Sequence, residues 1–177
     1  TRLEVVFIGR NSPEKRYHLY QQVARKCKEQ ALNAEFISIG NFRSTEGIEC
    51  LGEMTEKEAI YKVLHSSHIL VLCSNTEGFG LVVAEAMACG TVPIATAVGG
   101  VPELIDEGIT GNLVHATEEQ AIVEEFVRLL SRYCQDPQSL QGMGRAAYEK
   151  VKQEFNYSIF RNSYLALIEE ARKEIAT

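Results

Sequence analysis

A chain of 177 residues that is 45% hydrophobic and 24% charged is long enough to bury a proper core as one domain. Its formal net charge of −6 argues against a general nucleic-acid binder. No apolar run approaches the ~18 residues of a membrane span and no signal-peptide pattern is present, which reads as a soluble chain.

Leu3 to Ile8 form the first expected strand, ended by Gly9. Ser12 is placed to cap a helix opening at Pro13, with Tyr20, Val23, Ala24, Cys27 and Ala31 on its apolar face. Arg10, Lys15, Arg16, Arg25, Lys26 and Lys28 crowd the first thirty residues, and most are expected on a solvated helix face. Ala34 to Ile39 and Ile48 to Leu51 are the next strands, and Asn41 to Gly47 leaves room only for a loop. Thr55 and Glu58 have capping-box spacing for a helix through Leu64. His65 and His68 then sit in a turn; with His18 and His115 they receive no role. Ile69 to Leu72 reads as a short buried strand.

The central stretch runs from Ser74 to Gly90. Gly78 and Gly80 make a tight turn, and Leu81 to Cys89 is a helix apolar on every side except at Glu85, hence expected to be buried. A lone carboxylate on a buried helix needs an explanation, because an unpaired buried charge is expensive. Glu77, Leu81 and Glu85 recur every four residues, which sets the two carboxylates about 12 Å apart along a helix axis. That span suits a ligand with a sugar at one end, a ribose at the other and phosphates between, facing the free N–H groups of Phe79 to Val82. The plainer alternative makes Glu77 a solvated loop residue and pairs Glu85 with a Lys or Arg in the core.

Val92 to Thr96 is the fifth strand, followed by a turn into a short helix at Val98 to Glu103. The paired Gly99 and Gly100 permit close backbone approach, either to a ligand or to a neighbouring helix. Gly111 to Val114 is the last strand. Thr117 with Gln120 suggests a second capping box, ahead of an apolar face of Ile122, Val123, Phe126, Val127 and Leu130. Asp136-Pro137 restarts a helix carrying Met143, Tyr148 and Val151. Ser158 opens another, with Tyr164, Leu165, Ile168, Ala171 and Ile175 expected to face inward. Five cysteines without C-x-x-C spacing, two of them (Cys73 and Cys89) in apolar elements, read as reduced core residues of a cytosolic chain. No His/Cys/Asp cluster has metal-ligand spacing.

Strands alternating with helices imply an α/β fold: a doubly wound, mostly parallel sheet with helices on both faces. A dehydrogenase-type dinucleotide fold would want G-x-G-x-x-G directly after the first strand, and Gly9 is followed instead by Arg10, Asn11 and Ser12.

Glu77-Gly-Phe-Gly-Leu-Val-Val-Ala-Glu85, continuing through Ala86 to Gly90, resembles the E-x7-E signature of retaining GT-B glycosyltransferases, chiefly family 4. Gly99 to Glu103 and Gly111 to Val114 resemble the next two landmarks of that family, in order. The segment from Asn41 to Gly47 departs from it, since the family usually inserts a helix there. The resemblance implies that residues 1–177 are one Rossmann-like nucleotide-sugar-binding domain, the C-terminal half of a GT-B enzyme whose N-terminal acceptor domain is absent. It implies sugar transfer from a nucleoside-diphosphate sugar, with this fragment inactive by itself. Arg10 and Lys15 would clamp the diphosphate and Glu77 would hold donor-sugar hydroxyls near the reacting carbon. Gly78, Phe79, Gly80, Leu81 and Val82 would line the donor, Glu85 would bind the ribose, and Gly52 and Met54 would bracket the base. No metal or other cofactor would be obligatory. The acceptor, a glycan, lipid or small molecule, would be held mainly by the absent half, and that half could bring a cytoplasmic enzyme to the inner membrane surface. Two alternatives remain: a GT-B relative with epimerase or phosphorylase chemistry, or a non-catalytic nucleotide-sugar-binding domain.

Overall fold

The computed structural model of the chain describes residues 2–175. Six strands, β1 (Leu3–Ile8), β2 (Ala34–Ile39), β3 (Ile48–Cys50), β4 (Ile69–Leu72), β5 (Val92–Thr96) and β6 (Asn112–Val114), form one sheet in the order β3-β2-β1-β4-β5-β6. Every strand pair is parallel. The strands are apolar runs because both sheet faces are covered. Val5, Ile69, Val71 and Ile94 pack with α1 (Tyr17–Glu29) and α5 (Glu119–Gln135) on one face. Their neighbours Val6, Leu70, Leu72 and Ala95 pack on the other with α2 (Lys57–Ser66), α3 (Leu81–Ala88) and α4 (Val101–Leu104). α6 (Gln138–Glu154) sends Leu140 and Met143 to the first core and Ala147 to the second.

From β1 the chain winds outward through β2 and β3; from β4 it winds the opposite way through β5 and β6. β1 and β4 therefore flank the switch point, where the loops leaving the carboxyl ends of two adjacent strands diverge and open a crevice. This topology puts the loop after Gly9 beside the loop after Ser74.

Helix starts differ from expectation. Pro13–Lys15 is a separate 3-10 turn, and Arg16, in a left-handed conformation (φ 46°, ψ 47°), breaks it from α1. Ala31 lies beyond α1 and is exposed. Neither capping box forms: α2 is preceded by Glu56 and α5 by Glu118, one residue later than each box requires, and no side-chain cap bond is made. Gln120 instead bonds Glu124 along the helix. His65 lies within the last turn of α2.

The largest difference is α7 (Tyr157–Ile175). Tyr164, Leu165 and Ile168 are exposed, as are Tyr157, Phe160 and Leu167, and Ala171 is exposed as well. The side chain of Ile175 lies outside the described residues. Helical periodicity marks an apolar stripe without specifying what covers it; here the stripe is open, and Phe160 and Tyr164 stack on one another along it.

Cys27 and Cys73 are fully enclosed, and burial pushes both thiols up to about 12 from 9.0. The folded state therefore keeps them protonated where the unfolded chain ionises, so stability contributed by the neutral thiols is intact below about pH 9 and is lost as pH climbs toward 12. Urea unfolding across that range should show a falling midpoint, and Cys73→Ala should flatten the decline. A midpoint that holds constant to pH 11 would contradict the burial.

Candidate functional site

The site is built at the carboxyl ends of β1 and β4. The turn at Pro13–Lys15 carries Lys15 back over Gly9, and the side-chain ammonium reaches across 62 residues of sequence to Glu77 (Nζ to Oε1, 2.5 Å). Both side chains are largely enclosed, at 15% and 10% exposure. The hydroxyl of Ser74 donates to the same oxygen at 2.5 Å, so Oε1 is held by two donors and Oε2 has no partner among the described residues. Two ions taken this far from water need such extra hydrogen bonds, because their mutual attraction alone barely offsets desolvation.

Three further ties hold the two loops together. The Asn75 N–H donates to the Glu14 carbonyl at 2.9 Å. Arg16 donates from Nε to the Cys73 carbonyl (2.6 Å) and from Nη2 to the Ser74 carbonyl (2.9 Å). Thr96, at the end of β5, donates its hydroxyl to the Ser74 carbonyl as well. The glycine pair completes the cradle. Gly100 N–H bonds the Gly78 carbonyl at 2.8 Å, and a Cβ on Gly99 (φ 55°) would overlap the carbonyl oxygen of Glu77. The close approach left open by the sequence is thus to the Glu77–Phe79 backbone.

Gly80, left-handed at φ 88°, turns the chain into α3. The N–H groups of Val83 and Ala84 bond the Gly80 carbonyl, leaving those of Leu81 and Val82 at the open end of the helix. Glu77 lies in the loop before α3, so its fourfold spacing to Leu81 does not express a helical turn; only Leu81 and Glu85 share that relation. α3 is also not buried all round. Val83, Ala86 and Met87 pack inward, whereas Leu81 is 70% exposed and Val82 and Glu85 are half-buried. Val82 packs at the edge of the second core, while Leu81 stands open to solvent. Glu85 makes no ion pair or side-chain hydrogen bond among the described residues. The plainer alternative is thus inverted: Glu77 is the enclosed and paired carboxylate.

Of the remaining expected residues, Arg10 is 83% exposed on the rim, 3.8 Å from Glu14. With Gly9, Gly40, Glu53 and Met54 it lines a cavity of about 390 Å³. Gly52 lies beneath, its carbonyl accepting the Gly40 N–H at 2.9 Å. Phe79 turns its ring to Phe155 at the end of α6, 5.6 Å between centroids, and contributes backbone to the loop. A wider groove of about 710 Å³ runs along α1 past His18, Gln21 and Lys28, but Gln21 bonds Thr45 there and Lys28 pairs with Glu46. Sequence reasoning missed Arg16, Ser74 and Thr96. Ser74 lay within the singled-out stretch, but nothing in the pattern of Arg16 signals a left-handed backbone. Among the described residues no group of three or more His, Cys, Asp or Glu side chains is placed to hold a metal ion, and no helix is long and apolar enough to cross a membrane.

A cation, an orienting carboxylate and an open helix end at the switch point of a parallel sheet make a site suited to a phosphorylated ligand. The family model described as "Glycosyl transferases group 1" matches residues 1–150, and the chain belongs to that family. Over 100 residues it is 36% identical to N-acetyl-alpha-D-glucosaminyl L-malate synthase of Bacillus anthracis, covering 56% of this chain and 25% of that protein. The fold is shared with the C-terminal domain of a glycosyl transferase group 1 family protein (LpcC) from Francisella tularensis, at TM-score 0.76 and 21% identity over 88% of this chain and 87% of that one. It is shared also with Anabaena Alr3699/HepE, solved in complex with UDP and glucose, at TM-score 0.80 and 22% identity over 95% and 48% of the two chains. The present chain thus spans about a quarter of the Bacillus relative and about half of HepE.

The Gly99 contact gives a direct check on the cradle. Gly99→Ala must shift the Glu77 carbonyl or the Gly99 backbone, at a cost of about 1–3 kcal/mol, read as a lower urea midpoint. Unchanged stability with an undisplaced Glu77 loop in the variant's crystal structure would refute the tie.

Proposed function

We propose that this chain is the donor-binding half of a retaining family 4 glycosyltransferase, one that moves a sugar from a nucleoside-diphosphate sugar to an acceptor. The observation that carries this reading is the Lys15–Glu77 contact beside the open end of α3. A cation and a carboxylate held a bond apart can serve two adjoining parts of one ligand, its phosphate and its sugar.

In this reading the diphosphate lies between Lys15 and the N–H groups of Leu81 and Val82. Arg10, exposed on the rim, gives up its loose contact with Glu14 and folds over the diphosphate. Departure of the diphosphate is the step in which negative charge builds, so preorganised positive groups there stabilise the transition state more than the bound donor. These cations take the part a divalent metal would otherwise play. Glu77, anchored through Oε1, offers Oε2 to donor-sugar hydroxyls near the reacting carbon. Glu85, one turn into α3 and unpaired, accepts hydrogen bonds from ribose hydroxyls. The base enters the cavity beside Met54 and Gly52, where main-chain groups meet it. The acceptor, a glycan, lipid or small molecule, is held mainly by a preceding half that also governs any approach to a membrane surface, in an enzyme working in the cytoplasm. UDP-sugars are the first donors to try, because HepE was solved with UDP and glucose.

Calorimetric titration of the chain with UDP-, GDP- and ADP-sugars tests the reading. At least one should bind, and no sugar should reach an added acceptor, since transfer needs both substrates in attack geometry. Binding by none of them would overturn the donor-site reading, and robust transfer by the pure chain would overturn its dependence on a second half. Glu85→Gln should lower nucleotide affinity roughly 10- to 100-fold, the worth of a charge-assisted hydrogen bond, while melting stays unchanged. Retained affinity with a collapsed melting temperature would make Glu85 a structural residue instead. In the parent enzyme at saturating donor, Lys15→Ala should lower kcat about 100- to 1000-fold. A raised KM with full kcat would reduce Lys15 to a binding cation.

A further inference from the structure

We propose that Arg16 is a positioning residue of this site: it fixes the Ser74–Glu77 loop and, through it, the Glu77 carboxylate and the Lys15 ammonium. The proposal rests on the donor-site reading above. Arg16 is held at φ 46° and ψ 47°, a region that a residue with a long side chain rarely adopts. That conformation separates the Pro13–Lys15 turn from α1 and sends the guanidinium toward the end of β4. There Nε and Nη2 donate to two successive main-chain carbonyls, those of Cys73 and Ser74, at 2.6 and 2.9 Å. A rigid two-donor fork matches consecutive carbonyls in a way an ammonium does not.

The consequences pass through Ser74. Its carbonyl is fixed by Arg16 and Thr96 together, and its hydroxyl donates to Glu77 Oε1. The same oxygen accepts Lys15 Nζ, and Lys15 is the residue before Arg16. The Asn75 N–H to Glu14 carbonyl bond closes the circuit on the other side of the turn. One arginine thus sets the spacing between two loops that carry the donor-facing groups. Its own guanidinium is directed elsewhere: Arg16 lines a small cavity of about 190 Å³ with Asn75, Thr96, Val98 and His115, whereas Arg10 lines the separate cavity beside Met54. Arg16 therefore acts through Ser74, Glu77 and Lys15 and does not bind the phosphate itself.

Arg16→Gly is the informative variant, because glycine accepts the left-handed backbone while losing the fork. Two readouts are made on the 177-residue chain. In the ligand-free protein, amide exchange of Asn75 to Phe79 should speed up about tenfold or more, with Val71 in the strand core unchanged. UDP affinity should fall about tenfold in Arg16→Gly, yet by less than about twofold when Arg16→Gly is added to Lys15→Ala, because both changes disable one unit. Unchanged exchange overturns the tether. Faster exchange with unaltered UDP affinity, or losses that simply multiply in the double variant, overturns the positioning role and leaves Arg16 a structural residue. If the wild-type chain binds none of UDP, GDP or ADP, the donor-site reading and the positioning role fall together, whereas the exchange result still decides the tether.

Discussion

An ion pair between Lys15 and Glu77 joins two loops that are distant in sequence and adjacent in space, and the rest of the site depends on that closure. It is possible only because β1 and β4 are neighbours while the chain leaves them in opposite directions. Pairing two charges at 15% and 10% exposure gains little unless the remaining valences are met. The surrounding residues meet them: the Ser74 hydroxyl completes Oε1, Arg16 and Thr96 hold the Ser74 carbonyl, and Gly99 and Gly100 let the next strand's loop lie against Glu77 and Gly78. Each of these is a local oddity, an arginine in a left-handed turn or a glycine where any Cβ would collide. They become intelligible once the pair is taken as the feature being stabilised.

The closure also explains why α3 looks over-apolar for its position. Its inner face is core and Val82 packs at the edge of it, but Leu81 is exposed and Glu85 is half-buried with no side-chain partner among the described residues. Apolar surface left in water is unfavourable and an unpaired half-buried carboxylate more so. In the proposed reading, a bound donor completes the outer face of this helix. The open stripe of α7 poses the same problem at the other end of the chain, and the chain spans only a fraction of the length of its relatives.

The strands were legible almost to the residue, because a strand covered on both faces is a short apolar run whose bounding glycines and polar residues are plain. β1, β2, β4 and β5 begin and end as the sequence suggests. The stretch from Ser74 to Gly90 likewise holds Glu77, the carboxylate that the structure encloses and pairs with Lys15. What could not be read were contacts made by backbone geometry. Capping boxes at Thr55 and Thr117 satisfy a spacing rule yet start one residue early, and the left-handed Arg16 divides the turn that Pro13 opens from α1. Helical spacing carried back from Glu85 to Glu77 failed because Gly80 ends the helix first. Inward placement of α7 failed because a pattern of apolar residues is silent about what lies opposite. The Lys15–Glu77 pair itself needed the strand order: each residue had a separate expected role, and only topology shows that they touch.

The most direct measurement of the central claim is a crystal structure of this chain with UDP bound. The account predicts a phosphate oxygen within hydrogen-bonding distance of Lys15 Nζ and of the Leu81 or Val82 N–H. It also predicts the ribose against Glu85, the base in the cavity beside Met54, and Glu77 still tied to Ser74. Nucleotide seated in the groove along α1, or bound with the Lys15–Glu77 pair and the end of α3 untouched, would contradict it.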